Sequence, residues 1–349
     1  MAKSKPIKVG ISGINAVDNP GPGVGVARSL KEDKGLNVQV HGLAYDAMDP
    51  GIYLDWVVDK SFIVPYPSSN HEGFIERLLY IKENHGLDFI FPMLDAELPL
   101  YIKYHGELKS RGITTFLPTM EQFKLRSKEN LDAVAEAIGI VTPRSKVVSS
   151  FTELTAAIAE LGLPVMVKGA FYKAYIAYTP QEAMANYNKI VAEWGYPIIL
   201  QKVVTGEEMN VVAAGDGEGN SLGMVGLRKI LITSLGKIWT GVSIRHDGML
   251  RAAAKFIEEY KWKGGFELEC IVTEDAVNLI EINPRFPAWT YFATGVGTNL
   301  PANCLRKAMG LPLLKNSEYE TGKLYIRYTY ELVTDMKGFQ DMITKGERT

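Results

Sequence analysis

This 349-residue sequence has few cysteines, a small net charge and no long apolar runs. The two cysteines, Cys270 and Cys304, are too few for a disulfide framework, and neither lies in a CxxC or Cys/His spacing typical of a zinc site. Since no stretch of 18 or more apolar residues is present, the sequence predicts no membrane-spanning helix. The N-terminus leads into a strand pattern without an apolar signal region, so we expect a soluble cytoplasmic protein.

The charge balance excludes a further group of functions. Lys and Arg number 38 and Asp and Glu number 40, which gives a net charge of −2. A nearly neutral chain has no global electrostatic basis for binding nucleic acid or an anionic membrane. The 46% of hydrophobic and 22% of charged residues are ordinary for a globular protein.

The order of the predicted elements indicates three regions. In residues 1–118, apolar strand segments alternate with helical segments, which is typical of a parallel sheet with helices on both faces. Residues 119–204 contain a helical connector and a small α+β segment. Residues 205–349 contain hairpin patterns of an antiparallel sheet, including separate strands at 222–226 and 231–235 and a late strand at 323–333. The predicted fold class is therefore a combination of α/β and α+β.

A glycine-rich loop follows the first predicted strand. Its Gly21-Pro-Gly-Val-Gly25 run lacks the GxGxxG spacing of a dinucleotide-binding loop, and no acidic residue ends the second strand. We favour a loop that faces a substrate. A tight structural turn and the cofactor loop of an NAD-dependent oxidoreductase are the alternatives.

The strongest chemical signal is a predicted hairpin formed by residues 266–269 (Phe-Glu-Leu-Glu) and 280–285 (Ile-Glu-Ile-Asn-Pro-Arg). Residues two apart on a strand share a face, so Glu281, Asn283 and Arg285 point the same way. The two glutamates of the first segment can face them from the partner strand. Oxygen ligands of this kind suit Mg²⁺ bound together with substrate phosphates. The alternative is a charged hairpin face in contact with solvent.

These segments resemble the metal-binding strands of the ATP-grasp superfamily, most closely its carbamoyl-phosphate-synthetase-like and biotin-carboxylase-like members. The resemblance runs from about residue 7 to residue 313. It implies an ATP-grasp fold, with an N-terminal Rossmann-like (pre-ATP-grasp) parallel-sheet domain, a small α+β lid subdomain and a C-terminal antiparallel-sheet subdomain. In such proteins an acidic residue or glutamine precedes the Glu-x-Asn by about a dozen residues. The implied metal ligands are therefore Glu269, Glu281 and Asn283, with Glu267 as the alternate to Glu269.

The resemblance also implies a nucleotide site. The segment 125–130 is similar to a helix start that carries a first phosphate-binding lysine, and the strand at 164–168 ends in a second lysine. The segment 200–204 resembles a hinge whose backbone grips adenine, and 206–210 resembles a segment that brings a glutamate to the ribose. The implied nucleotide-binding residues are Lys128, Lys168, Gln201, Lys202, Val203, Val204 and Glu208.

The reaction implied by the resemblance is ATP-dependent ligation of a carboxylate to an amine, with Mg²⁺, or Mn²⁺ in its place, as cofactor. The carboxylate would attack the γ-phosphate to give an acylphosphate and ADP, and an amine, such as that of an amino acid or small peptide, would displace phosphate. Arg285 would hold the carboxylate or acylphosphate, and Arg228 is a second candidate. Asp95 and Glu97 would lie near the substrate cleft. The implied partners are small molecules, and homodimers are common among similar proteins.

Two details leave other interpretations open. After the second lysine the family has a glycine-rich loop whose N–H groups cradle phosphate, whereas residues 169–174 contain one glycine and form a shorter stretch. A catalytically impaired homologue that binds nucleotide and regulates a partner is therefore the alternative function. His246 is either a proton shuttle or a histidine in a surface turn.

Overall fold

The computed structural model describes residues 5–17, 19–169, 174–233, 236–315 and 318–349. The chain divides into two compact units. The first contains Met1–Gly139, Glu208–Glu269 and Glu281–Thr349, and the second contains Ile140–Glu207 and Cys270–Ile280. The helical connector at 119–139 thus belongs to the first unit. In the described part of the chain, no helix combines the length and apolar character needed to cross a membrane.

The N-terminal part of the first unit is a sheet with flanking helices. Strands β5, β4, β1, β6 and β7 lie in that order and pair in parallel, as the alternating pattern predicts. Val9, Ile11, Val40 and Phe89 on these strands are fully buried, because helices cover a parallel sheet on both faces. The elements are β1 (Ile7–Ile11), β2 (Ala16–Val17), β3 (Asn19–Pro20), α1 (Pro22–Glu32), β4 (Val38–Ala44), β5 (Lys60–Ile63), α2 (His71–His85), β6 (Phe89–Phe91), α3 (Leu98–Lys103), α4 (His105–Ser110), β7 (Thr114–Thr115), α5 (Met120–Lys124) and α6 (Leu131–Ile138).

The glycine-rich loop after β1 folds back tightly onto the end of that strand. A Cβ on Gly23 would lie 2.1 Å from the carbonyl oxygen of Ser12, and one on Gly21 would lie 2.3 Å from that of Gly13. The N–H of Gly23 also donates to the Gly13 carbonyl at 2.9 Å. These glycines are needed for close backbone approach, which favours the structural turn over the substrate-facing loop.

The second unit is a four-stranded antiparallel sheet with two helices. Its strand order is β10-β9-β11-β8. Ser150 caps one helix by accepting from the N–H of Glu153 at 3.2 Å, and Thr179 caps the other in the same way. Residues 170–173, which form most of the predicted short phosphate loop, lie outside the described residues. The elements are β8 (Ser145–Val148), α7 (Phe151–Leu161), β9 (Val165–Gly169), β10 (Ala174–Ala177), α8 (Pro180–Trp194) and β11 (Ile198–Lys202).

The remaining elements centre on a six-stranded sheet of order β16-β15-β12-β13-β14-β17. The prediction of separate strands at 222–226 and 231–235 is wrong, because β13 continues from the first of them to Ile232 and absorbs irregularities near Lys229 and Leu231 as register shifts. Residues 234–235 of the second predicted strand lie outside the described residues. Of the strand predicted at 323–333, only β17 is regular. The elements are β12 (Glu207–Asp216), β13 (Ser221–Ile232), β14 (Ile238–Ile244), α9 (Asp247–Tyr260), β15 (Lys263–Val272), β16 (Val277–Asn283), α10 (Thr290–Gly295), α11 (Leu300–Ala308), β17 (Leu324–Ile326), α12 (Met336–Lys345) and β18 (Glu347–Arg348).

The C-terminal strand returns to the N-terminal sheet. Strand β18 pairs antiparallel with β5 and becomes the last strand on that side of the sheet. The guanidinium of Arg348 contacts both carboxylate oxygens of Asp55, at 2.7 and 2.9 Å. This bidentate contact fixes the end of the chain to the first unit.

Candidate functional site

The carboxylates predicted from the hairpin pattern meet on one face of the six-stranded sheet. Strands β15 and β16 are neighbours. The side-chain Nδ2 of Asn283 donates to Glu267 Oε2 at 2.9 Å and to Glu269 Oε1 at 3.0 Å. Glu281 precedes Asn283 by two residues on β16 and therefore shares its face. The two predicted segments thus face each other across the strand pair.

Glu267 and Glu269 have different environments. Glu267 is 3% exposed and accepts from Asn210 Nδ2 and Trp289 Nε1, both at 2.6 Å, in addition to Asn283. Burial raises the pKa of Glu267 to about 7, and the negative charge of Glu269 adds to the shift. The side chain of Glu269 is 25% exposed. Glu267 therefore holds the buried polar side chains of the site in place, and the carboxylate of Glu269 is the more exposed to solvent of the two.

Lys229 forms an ion pair with this cluster. Its Nζ lies 2.9 Å from Glu269 Oε2 and 3.2 Å from Glu208 Oε2, and its side chain is 9% exposed. Burial lowers the pKa of Lys229, but Glu269 and Glu208 raise it more, so that it lies above its ordinary value. The ammonium group is thus held charged between two carboxylates.

Arg228, predicted as a catalytic candidate, lies on the other face of β13 from the residue that contacts the cluster. It is paired with Met209 and Val242 in the sheet register, and side chains alternate between faces along a strand. Arg228 therefore lies on the opposite face from its neighbour Lys229. Counting the two-residue period along β13 would have selected Lys229 in its place.

Two arginines converge on Asp95 in the loop after β6. Arg285 approaches it with Nε at 3.2 Å and Nη2 at 3.3 Å, and Arg126 Nη1 lies at 3.4 Å. Burial lowers the pKa of Arg285, but the charges of Asp95 and Glu267 raise it by more than burial lowers it. The pKa of Arg285 therefore lies above its ordinary value. Arg126 was not among the predicted site residues, although it lies two positions before Lys128.

Lys128 and Glu281 are electrostatic neighbours in the first unit. Burial lowers the pKa of Lys128, and Glu281 opposes that shift. Loss of hydration raises the pKa of Glu281, with contributions from Glu269 and Asp95. Arg126 and Arg285 act in the opposite direction. The first unit therefore brings the predicted Lys128, Glu281, Glu269 and Arg285 into one electrostatic group.

Two residues considered for chemistry have structural roles instead. Glu97, predicted near a substrate cleft, is 1% exposed and accepts from the hydroxyls of Ser12 and Tyr45, so it organises the strand ends rather than facing a substrate. His246 Nδ1 accepts from the N–H of Met249 at 3.2 Å and caps α9. This contact favours the turn histidine over the proton shuttle.

The second unit brings two predicted nucleotide-binding residues into contact. Lys168 Nζ donates to Gln201 Oε1 at 2.6 Å across β9 and β11. Lys202 Nζ donates to the carbonyls of Gly162 and Leu163 at 3.1 Å. The side chain of Lys202 therefore anchors the end of α7.

Two backbone N–H groups of the predicted hinge donate hydrogen bonds within the second unit. The N–H of Lys202 donates to the carbonyl of Arg144 at 2.8 Å, and that of Val203 donates to Pro164 at 3.3 Å. Val204 follows these two residues directly. These backbone contacts hold the predicted hinge to the strands on either side of it.

The donor set on β15 and β16 fits a hard divalent cation. The described residues contain no cluster of three or more His, Cys, Asp and Glu side chains arranged to hold a metal. The predicted set is instead two carboxylates and one amide. Asn283 directs its Nδ2 to both glutamates, so to share a cation with Glu269 its amide must turn until Oδ1 replaces Nδ2 on the Glu269 side while Nδ2 keeps Glu267. Asn210 Oδ1, next to Glu267, is buried without a hydrogen-bond partner. Such oxygen donors suit Mg²⁺.

This chain is similar in sequence to curated proteins, and no protein-family model matches it. The arginine-specific large chain of carbamoyl phosphate synthase from Bacillus subtilis is 18% identical over 253 residues, which cover 68% of this chain and 23% of that protein. Phosphoribosylamine–glycine ligase from Mycobacterium leprae is 27% identical over 134 residues, covering 36% of this chain and 32% of that one. The chain therefore spans less than a third of the length of each of these two relatives.

Several solved structures resemble the whole chain. The ADP complex of N5-carboxyaminoimidazole ribonucleotide synthetase (PurK) has a TM-score of 0.68 at 15% identity and covers 93% of this chain and 82% of that one. The biotin carboxylase of Campylobacter jejuni in a βγ-ATP complex has a TM-score of 0.68 at 16% identity, with 92% and 74% covered. The biotin carboxylase domain dimer of Hydrogenobacter thermophilus 2-oxoglutarate carboxylase, with MgADP, ADP and bicarbonate, has a TM-score of 0.67 at 18% identity, with 91% and 73% covered. At these identities the likeness establishes the fold.

Proposed function

We propose that this chain, which has the ATP-grasp fold, is an ATP-dependent ligase that couples a carboxylate to an amine. The carboxylate would take the γ-phosphoryl group of ATP to give an acylphosphate and ADP, and the amine would then displace phosphate. The observation that carries the proposal is the face on which Asn283 contacts Glu267 and Glu269 while Glu281 lies two residues away. A cation-binding face of this kind is what phosphoryl transfer needs, because that reaction depends on charge neutralisation and alignment.

Glu269, Glu281 and Asn283 are the residues proposed to hold Mg²⁺, with Mn²⁺ as a substitute. When bound, the cation would supply charge neutralisation for the phosphate oxygens. Glu267 would fix the direction of Asn283, since its carboxylate already accepts from Asn210, Trp289 and Asn283. Lys229 would hold Glu269 in place and limit repulsion among the glutamates.

The guanidinium of Arg285 is proposed to bind the substrate carboxylate or the acylphosphate. Its planar fork matches a carboxylate, and at present it contacts the carboxylate of Asp95. Arg126 approaches the same aspartate, so a second guanidinium stands beside the first. Lys128 is proposed to neutralise phosphate, which is supported by its proximity to Glu281.

For the second unit, we propose nucleotide contact through Lys168, Gln201 and the hinge residues 202–204. Lys168 would neutralise phosphate, and its contact with Gln201 Oε1 would hold the lysine in position before ATP binds.

Glu208 is proposed to bind the ribose hydroxyls. Its contact with Lys229 leaves its side chain 47% exposed, so the carboxylate remains accessible.

Pairwise screening of carboxylates and amines tests the proposal. The purified protein is incubated with ATP, Mg²⁺ and one carboxylate, with and without an amino acid or short peptide, and ADP and phosphate are measured. We expect ADP release that depends on the carboxylate and a ligated product that depends on both substrates. If a thermal-shift assay shows stabilisation by ATP and Mg²⁺ while no pair stimulates ADP release, the chain is a nucleotide-binding homologue without ligase activity. Stabilisation by NADH and not by ATP would contradict the proposal altogether.

A further inference from the structure

Asp95 contacts the guanidinium that is proposed to bind the substrate carboxylate. Its Oδ1 lies 3.2 Å from Arg285 Nε, and its Oδ2 accepts from Arg285 Nη2 at 3.3 Å. The remaining nitrogen of that guanidinium, Nη1, donates to the carbonyl of Phe286 at 3.4 Å. A carboxylate that binds an arginine with both oxygens needs two adjacent nitrogens, and each nitrogen of Arg285 already has a contact. The substrate and Asp95 therefore compete for one guanidinium.

The ion pair between Asp95 and Arg285 is longer than a pair that fixes the fold. Arg306 donates to both carboxylate oxygens of Asp33 at 2.9 Å, which is the ordinary length of a charge-assisted hydrogen bond. Asp95 Oδ1, by contrast, is buried and has no partner with hydrogen-bond geometry among the described residues. The carboxylate of Asp95 is thus attracted to Arg285 without being bonded to it as closely as Asp33 is to Arg306.

The backbone that carries Asp95 is held by a buried carboxylate. Oε1 of Glu97 accepts from the N–H of Met93 at 2.6 Å and from that of Leu94 at 2.9 Å. The N–H of Glu97 donates to the carbonyl of Leu94 at 3.1 Å, which closes the turn around Asp95. Because the turn is held on both sides, a movement of the Asp95 carboxylate is a rotation of its side chain.

Arg126 offers the carboxylate of Asp95 a second partner. Its Nη1 lies 3.4 Å from Asp95 Oδ1, and its guanidinium lies 5.3 Å from the centre of the Phe123 ring, a cation–π contact that keeps it next to α5. The side chains of Asp95, Arg126 and Arg285 are 32%, 27% and 21% exposed, so a ligand from solvent can reach all three. Asp95 can therefore exchange Arg285 for Arg126 without becoming an unpaired charge, which would be costly.

We propose that Asp95 is an internal competitor of the substrate: it holds Arg285 until a carboxylate binds there, and it then turns to Arg126. The inference rests on the proposed role of Arg285 as the carboxylate-binding residue. A ligand replaces Asp95 only by offering an anion of its own, because a neutral group would not compensate the ion pair that Arg285 loses. Asp95 is thus a specificity-determining residue, and Arg126 is a positioning residue that acts through it.

The Michaelis constant (KM) of the carboxylate substrate gives the first test. Asp95→Asn keeps the shape of the side chain and removes its charge, so the KM of the carboxylate should fall at least about tenfold, while the KM of ATP should not change. Asp55→Asn is the matched control, because it removes the charge from the bidentate partner of Arg348 on β18. Both KM values of this control should equal those of the wild type, and thermal melting checks that both variants are folded.

Arg126→Gln should have the opposite effect. It removes the partner to which Asp95 turns, so the KM of the carboxylate should rise by about fivefold or more. In the Asp95→Asn background the same substitution should change nothing, because no charged aspartate has to be taken up. An equal rise in both backgrounds would mean that Arg126 binds the substrate itself, and it would overturn the proposal.

Chemical modification of Arg285 tests the exchange without any ligase activity. Phenylglyoxal reacts with guanidinium groups, and mass spectrometry of peptides gives the rate at each arginine. Arg285 should react faster in Asp95→Asn than in the wild type. Acetate, as the simplest carboxylate, should protect it at a concentration about tenfold lower. Arg348 in the same samples should react at one rate in both proteins. Equal protection of Arg285 by acetate in the two proteins would overturn the inference.

Failure of this inference can be distinguished from failure of the proposed function. A wild type that turns over no carboxylate contradicts the ligase, and the reactivity of Arg285 then still decides whether Asp95 competes with a carboxylate. An active ligase in which Asp95→Asn leaves the KM of the carboxylate unchanged or raises it would overturn the competition alone.

Discussion

Lys229 Nζ lies 2.9 Å from Glu269 Oε2, on a sheet face that also carries Glu267, Glu281 and Asn283. The lysine is almost fully buried, and it is held charged by the carboxylates around it. One positive charge therefore offsets part of the negative charge that this face accumulates. Lys229 is a positioning residue for Glu269, which in turn is proposed as a metal ligand.

Replacement of Lys229 by methionine should destabilise the protein and lower its activity. The change removes one partner of a largely buried ion pair and leaves Glu269 among like charges, so we expect a loss of about 2 kcal/mol in the free energy of unfolding. Turnover should fall at least tenfold, and a higher Mg²⁺ concentration should recover part of it. Chemical denaturation and an ADP-release assay measure the two effects.

The matched control is Lys345→Met, which removes an exposed partner of Asp341 four residues away on α12. Exposed pairs of this kind contribute little, so the control should lose less than about 0.5 kcal/mol. Equal stability losses for the two variants would show that Lys229 has no special role.

Glu267 and Glu269 should respond differently to replacement by glutamine. Oε1 of Glu267 accepts from Asn210 and Trp289, and Oε2 accepts from Asn283. In either orientation, the NH₂ group of an introduced glutamine would therefore face another hydrogen-bond donor and a hydrogen bond would be lost. Glu267→Gln should therefore lose about 2 kcal/mol in the free energy of unfolding. The side chain of Glu269 is 25% exposed and can turn towards water. Glu269→Gln should keep most of its stability while losing Mg²⁺-dependent turnover. A stable Glu267→Gln variant with a greater loss of Mg²⁺ affinity would make Glu267 the ligand.

Alanine at Gly23 should damage the fold. The new Cβ would lie 2.1 Å from the carbonyl oxygen of Ser12, so the loop after β1 must move, and we expect a loss of about 2–3 kcal/mol in the free energy of unfolding. Gly106 on α4 is the control, because a Cβ there meets nothing within 4 Å. Gly106→Ala should be neutral or stabilising by up to about 1 kcal/mol. Equal stability of the two variants in chemical denaturation would remove the case for a structural turn at this loop.

The fold and the centre of the site could be predicted from local signals. The alternation of apolar segments predicts the parallel sheet that pairs β1 with β4 and β6. The two-residue period predicts that Glu281 and Asn283 face the glutamates of β15, because a strand has only two faces. The solved structures confirm the ATP-grasp fold that those motifs imply.

Other features depend on contacts between distant residues. The two-residue strand β18 has no periodicity to detect, and its position follows from pairing with β5 and from the contact of Arg348 with Asp55. The burial of Glu97 depends on the hydroxyls of Ser12 and Tyr45, which are far from it in sequence. The difference in environment between Glu267 and Glu269 likewise depends on the position of Trp289, which no local pattern provides.

The central claim is that the carboxylate face formed by β15 and β16 supports metal-dependent use of ATP. The most direct test compares the wild type with Glu281→Gln, which keeps the shape of the side chain and removes its charge. ADP release is measured across a range of Mg²⁺ concentrations, and thermal melting serves as a check on folding. The account predicts that the variant melts like the wild type and loses ADP release at least about 100-fold, since charge at this position is proposed to act through the cation. Wild-type ADP release by a folded Glu281→Gln variant at every Mg²⁺ concentration would contradict it.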